Sequence, residues 1–313
     1  MNIGYGLRAA VLSFGVFFLL HGWLALVVST VALRLNPYLE RSDPRTAERL
    51  LFTLRLLPAV LALSFTLAVV TPAYFRWERQ LGVEPVGILI TIAALMGALC
   101  WMQAVLRSVG ALLEARRTRQ LLETDELVLA VAGVWSPRII VSRGFLNSIP
   151  AEHRAIAIRH EMAHFRAADN LKRLLLLLTP PVTPIKTDGV YSRVDATWSH
   201  YTERAADDDA VNGDPEQATM LAELLLRIAR RHEATRPAAL ACAIVGSTSG
   251  LRSRVEHLIS IDERVQRGRT WPSVTLPAVL LLSPVLAAFS VGASKPVFEF
   301  IERLLLHAWL LHA

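Results

Sequence analysis

Four stretches of this chain are long and apolar enough to cross a lipid bilayer, and they limit its folds more than any other feature. They run from about Ala9 to Leu33, Leu56 to Phe75, Val86 to Leu106 and Trp271 to Val291. A helix of about 20 apolar residues spans the hydrocarbon layer and satisfies its own backbone polar groups there. Each stretch is nearly free of charge and is flanked by Arg, Trp or Tyr, the side chains that anchor at the interface. No small-residue cleavage site follows the first stretch, so it reads as a retained span rather than a leader. The expected class is a mainly α membrane protein with four transmembrane helices and a polar α+β domain between spans three and four.

The boundaries follow from the same pattern. Residues 1–109 form a three-span unit, 110–270 a polar domain, 271–292 the fourth helix and 293–313 an amphipathic tail suited to the membrane interface. A polar segment of about 160 residues can bury a core of its own. The net charge of +6 is explained by placement. Arg34, Arg41, Arg45, Arg49 and Arg55 crowd the first loop, and Arg116, Arg117, Arg119, Arg264, Arg267 and Arg269 bracket the polar domain. The positive-inside rule puts both on the cytoplasmic side and both termini outside. The lipid bilayer is thus the partner that the charge implies, and no direct nucleic-acid contact is expected. Cys100 falls in a span and Cys242 in the polar domain, which excludes a disulfide framework or a thiolate metal site. Any metal must be held by histidine and carboxylate.

Within the polar domain, Leu127 to Val134 and Arg138 to Ser142 read as two short strands. Pro137 makes them an edge hairpin, an element that can offer backbone hydrogen bonds to an extended peptide. A helix is expected from near Pro150 through Leu178, stopped by Pro180 and Pro181. A second starts near Ala196 and carries Glu203 and Asp207; a third covers Glu216 to His232, and a fourth Leu251 to Ile261.

The first of these helices contains His160-Glu161-Met162-Ala163-His164. Histidines four apart project from one helical face and can bind one zinc ion, while Glu161 can act as general base on a water at an open coordination position. Arg154, Arg159, Arg166, Asp169 and Lys172 surround the motif, so the helix belongs to a solvent-accessible domain and not to a span. Glu203 is available as the third ligand. Asp207, one turn on, can accept the spare N–H of a ligand histidine and orient its ring. Asp208 and Asp209 read as a solvated acidic patch. His200, Tyr201, Arg254 and His257 are candidates for stabilising an oxyanion or contacting substrate, with nothing in the sequence to choose among them. His153 reads as a surface residue, His21 as an intramembrane polar group packed on Ser or Thr of a neighbouring span, and Arg55 as a snorkelling interfacial residue.

The ordered set of features resembles the BlaR/MecR-type membrane zinc metallopeptidases, the antirepressor proteases of beta-lactam resistance. The matching residues are Pro137-Arg-Ile-Ile-Val-Ser-Arg-Gly-Phe-Leu146, His160 to His164 followed by Asp169-Asn170-Leu171, the Glu203…Asp207 pair, and Arg252-Ser-Arg254-Val-Glu-His-Leu258. The resemblance implies a cytoplasmic zincin-like α+β peptidase domain in the plasma membrane of a bacterial cell. It implies one Zn2+ per chain on His160, His164 and Glu203, with Glu161 activating water and Asp207 supporting a ligand. It further implies an endopeptidase acting on a cytoplasmic regulator such as a transcriptional repressor, with self-cleavage as a further reaction. Only about twenty residues follow the fourth stretch, so the expected form lacks the family's C-terminal penicillin-binding sensor domain. The alternatives are an HtpX-like quality-control protease and a non-catalytic membrane receptor or scaffold that keeps the zincin fold. HtpX-like chains place further spans inside the domain, where Leu174 to Leu178 is too short to cross.

Overall fold

The computed structural model describes residues 3–77, 87–118, 129–183, 190–231, 242–243, 248–260 and 299. These residues are mainly helical, and three helical stretches are long and apolar enough to cross a membrane: Gly4–Arg34, Pro44–Arg76 and Ile88–Arg116. The expected fourth span and, apart from residue 299, the C-terminal tail lie outside the described residues.

The first stretch belongs to α1 (Ile3–Arg34). A short α2 (Asn36–Leu39) leads to α3 (Pro44–Phe65), which Asp43 caps by accepting from the Thr46 N–H at 3.0 Å. A π-helical turn (Thr66–Val70) joins α3 to α4 (Thr71–Trp77), and α5 (Ile88–Thr118) is the third long helix. The helices outrun the apolar stretches that predict them, by about two turns for α1 and about three turns at each of the ends that face the polar segment. Small residues let α1 and α5 approach closely. A Cβ on Gly15 would fall 2.9 Å from the Ile90 carbonyl oxygen, and one on Gly97 would fall 3.0 Å from that of Phe14. Leu19, Trp23, Leu26, Leu95, Leu106 and other large apolar side chains face outward, as lipid-facing residues do.

The polar segment begins with β1 (Leu129–Ala132) and β2 (Arg138–Val141), paired antiparallel with Leu129 opposite Val141. Both strands match expectation, but β1 is central and not an edge. It also pairs with β3 (Cys242–Ala243), giving the order β2-β1-β3. A helix absent from the sequence reading, α6 (Arg143–Ser148), follows β2 and is capped by Ser142. Next come α7 (Ala151–Ala167), α8 (Asp169–Leu178), α9 (Ser192–Val211), α10 (Pro215–Arg231) and α11 (Thr248–Ile259). The single helix expected from Pro150 to Leu178 is therefore two. Ala168 breaks it with φ 54°, serving as cap of both halves. Alanine is the best helix former and gives no hint of a left-handed residue, so local propensity hides the break.

One core lies inside the polar segment, where Phe145, Ile156, Leu221, Leu224, Leu225 and Leu258 are buried together. A second joins the polar segment to the long helices. Val28 and Ala32 of α1 and Ala47, Leu51 and Leu54 of α3 pack with Leu176, Val194, Trp198 and Tyr201. This shared core changes two expectations. Arg55 does not snorkel but is buried: Nε donates to Asp195 at 2.7 Å, Nη1 donates to Thr179 at 2.8 Å, and the guanidinium lies 3.5 Å from the Tyr191 ring centroid. His21 meets no Ser or Thr of a span; its Nε2 lies 3.2 Å from the Tyr191 hydroxyl, and its ring stacks on Phe17. Both polar groups are satisfied by the polar segment because that segment sits directly on α1 and α3.

Removing one partner of a buried pair leaves the other charge uncompensated. Asp195 is 41% exposed and can regain water, so Arg55→Met is expected to cost about 2–3 kcal/mol. Denaturant unfolding in detergent measures it. Arg252→Ala, which breaks an exposed pair with Glu256, should leave the unfolding midpoint in place.

Candidate metal centre

Helical periodicity puts His160 and His164 on one face of α7, and the packing of that face buries them. His160, Glu161 and Asp207 are 0% exposed, His164 is 1% and Glu203 6%. The two imidazoles meet edge to face, with their Nε2 atoms 3.1 Å apart. Glu203, carried by α9, closes the third side. Its Oε2 is 3.7 Å from His160 Nε2 and its Oε1 is 3.8 Å from His164 Nε2. The ligand atoms offered by His160, His164 and Glu203 all lie within 4.8 Å of one another.

The far side of each ring is held by a carboxylate. Asp169 Oδ2 lies 2.8 Å from His164 Nδ1, which fixes Nδ1 as the protonated nitrogen and turns Nε2 inward. The break at Ala168 makes this contact, because a residue five further along an unbroken helix would sit about 140° away around the axis. Asp207 Oδ1 lies 3.0 Å from His160 Nδ1, in a direction poor for a hydrogen bond. Asp207 is fixed from behind by Arg254, whose Nε and Nη2 donate to its two oxygens at 2.8 and 2.7 Å. Arg254 Nη1 also lies 3.1 Å from Glu203 Oε2. Glu161 Oε2 accepts from the Val131 N–H of β1 at 2.9 Å, while its Oε1 has no hydrogen-bond partner among the described residues. Asn170 donates to the carbonyls of Val131 and Gly133 at 2.8 and 3.0 Å, which ties the start of α8 to the same strand.

The structure thus gathers five of the sequence-derived site residues, His160, Glu161, His164, Glu203 and Asp207, and adds Arg254 as a clamp on the two α9 carboxylates. The other three candidates are engaged in other contacts. Tyr201 is buried in the core shared with α1 and α3. His257 turns its ring nitrogens to Arg204 and Asp208, and His200 Nε2 is 3.5 Å from the Ser253 hydroxyl. Asp208 and Asp209 are not merely solvated, since Asp209 pairs with Arg45 of α3. Asp169 received no role from the sequence, because only the unforeseen break brings it to His164.

Four buried carboxylates, Glu161, Asp169, Glu203 and Asp207, set the electrostatics of the site. Burial would lower the His160 pKa, but Asp207 and Glu203 outweigh it and raise it to about 9. Burial pushes the Glu161 carboxyl up to about 8, with Glu203 adding repulsion. Burial alone would also raise Glu203, yet Arg254 and His164 hold it at about 2. Burial keeps His164 below the usual histidine range. A divalent cation bound there would supply the positive charge that His160 and Glu161 otherwise take up as protons. The donors suit zinc: two neutral imidazoles and a carboxylate are a catalytic ligand set that leaves a fourth position open. Tetrahedral bonds of about 2.0–2.1 Å put neighbouring donors roughly 3.3 Å apart, near the 3.1–3.8 Å found here.

No protein-family model, curated protein or solved structure matches the chain. Function is therefore read from the residues and their geometry.

A metal that displaces protons from His160 and Glu161 must bind more tightly as pH rises through about 8 to about 9. Chelator-competition titrations between pH 6.5 and 8.5 should show zinc affinity rising about tenfold per pH unit for each proton displaced. A flat profile would contradict this assignment of charge.

Proposed function

We propose that the chain is an integral-membrane zinc-dependent endopeptidase that hydrolyses peptide bonds of cytoplasmic proteins. The observation that carries the reading is the buried convergence of His160, His164 and Glu203 with Glu161 beside them. In this reading the polar segment is a zincin-like α+β peptidase domain of the BlaR/MecR type, followed by a fourth span and facing the cytoplasm. The order of three long apolar helices and then the His-Glu-His helix supports that topology, and the arginine-rich flanks support the orientation. A repressor-like regulator is the proposed substrate class.

Zinc, when bound, supplies a Lewis acid that polarises the scissile carbonyl and acidifies water. His160, His164 and Glu203 would hold it, with Asp169, Asp207 and Arg254 positioning those three. Glu161 takes the proton of the attacking water as the C–O bond forms and passes it to the departing amine as the C–N bond breaks. The Val131 N–H keeps one carboxylate oxygen of Glu161 fixed while the other is left for the proton. Glu161 contacts β1, the central strand of the β2-β1-β3 sheet, and an extended substrate would pair with an outer strand of that sheet.

Glu161→Gln is expected to lower the turnover of an unstructured protein substrate at least 100-fold while zinc content stays near that of the wild type. A chelator should abolish wild-type turnover, and added zinc should restore it. Equal, chelator-insensitive proteolysis by both proteins would sink the mechanism. Complementation of a deletion strain by Glu161→Gln would favour a scaffold. Glu203→Ala should lose zinc on dialysis, and full retention would reject Glu203 as a ligand.

A further inference from the structure

We propose that Glu48, on a helix that belongs to a membrane span, is a positioning residue of the metal centre. The inference rests on the zinc-site reading and adds a residue from outside the polar segment. Glu48 lies in α3 and is 0% exposed. Its Oε1 accepts from Lys172 Nζ at 2.9 Å and from Trp198 Nε1 at 3.1 Å. Lys172 Nζ also donates to Asp169 Oδ1 at 3.0 Å, and Asp169 Oδ2 holds the Nδ1 of ligand His164 at 2.8 Å. An unbroken chain of contacts thus runs Glu48, Lys172, Asp169, His164.

The second contact reaches the other half of the ligand set. Trp198 stands five residues before Glu203 on α9, so one carboxylate oxygen from α3 grips the helix that orients His164 and the helix that carries Glu203. Energetically this is an expensive way to build a core. Glu48 and Asp169 are both fully buried and share one ammonium, and the second oxygen of Glu48 has no hydrogen-bond partner among the described residues. An apolar residue packed among Ala47, Leu51 and Trp198 would avoid that desolvation. What the carboxylate supplies is direction: it holds the Lys172 ammonium where Asp169 must face it with one oxygen and His164 with the other. Loss of such outer partners commonly weakens metal binding about 10–100-fold.

The test uses the full chain in detergent and reads zinc affinity by chelator competition, with visible spectra of the Co2+-substituted protein as a report on ligand geometry. Glu48→Ala should weaken zinc binding about 10–100-fold and change the cobalt bands. Glu48→Gln should fall between it and wild type. Lys172→Met should weaken binding comparably, and the double variant should be no worse than the worse single variant, because both act through Asp169. Arg49→Ala, next to Glu48 on α3 but exposed to solvent, should leave affinity and spectrum unchanged. If Glu48→Ala is not recovered folded, the Glu48→Gln and Lys172→Met pair with their double variant decides by the same criteria. Affinity within twofold of wild type with unaltered cobalt bands, or losses that simply multiply, would overturn the role of Glu48 alone. Failure of the wild type to bind zinc would overturn the zinc-site reading and this inference together.

Discussion

Two imidazole rings point their Nε2 atoms at one another, 3.1 Å apart and out of contact with water, and the surrounding structure is arranged to keep them so. Left to itself such a pair would share a proton or rotate away. Here Asp169 secures His164 from behind and Asp207 sits behind His160. Each of those carboxylates is buried and needs a cation of its own. Lys172 serves Asp169, and Arg254 serves Asp207. The histidine pair therefore draws in α8, α9 and α11 one charge at a time, and Glu203 adds a third candidate donor from the helix that Arg254 clamps.

The same logic explains why the long helices and the polar segment share a core. Lys172 is itself held by Glu48 of α3, Asp209 by Arg45, and Asp195 by Arg55. Three ion pairs and an apolar layer of Val28, Leu51, Leu54, Trp198 and Tyr201 lock α8 and α9 against α1 and α3. A membrane-anchored enzyme with a tethered catalytic domain would need none of them. In this chain the long apolar helices are part of the scaffold of the candidate site.

What the sequence discloses is what local periodicity controls. The apolar stretches appear as long helices, the i, i+4 histidines share a face, and Glu203 and Asp207 fall one turn apart on the same side of α9. What it conceals depends on contacts far apart in sequence. Arg55 finds Asp195 140 residues away, His21 finds Tyr191 at 170, and Arg254 finds Asp207 at 47. Each looked like an interfacial, intramembrane or oxyanion residue until packing supplied its partner. The Ala168 break is hidden for a different reason, since the strongest helix former stands at a left-handed position. Without that break Asp169 has no route to His164. The HtpX-like and BlaR/MecR-type readings differ in what lies between and beyond the spans and share the metal ligands, so the chemistry is common ground for both.

X-ray absorption at the zinc edge, on the full chain purified in detergent and loaded with one equivalent of zinc, tests the central claim most directly. The account predicts a first shell of about four nitrogen and oxygen donors near 2.0–2.1 Å, with the outer-shell scattering of two imidazoles and no sulfur. A six-oxygen shell typical of loosely held hydrated zinc, or a shell lacking imidazole scattering, would contradict it.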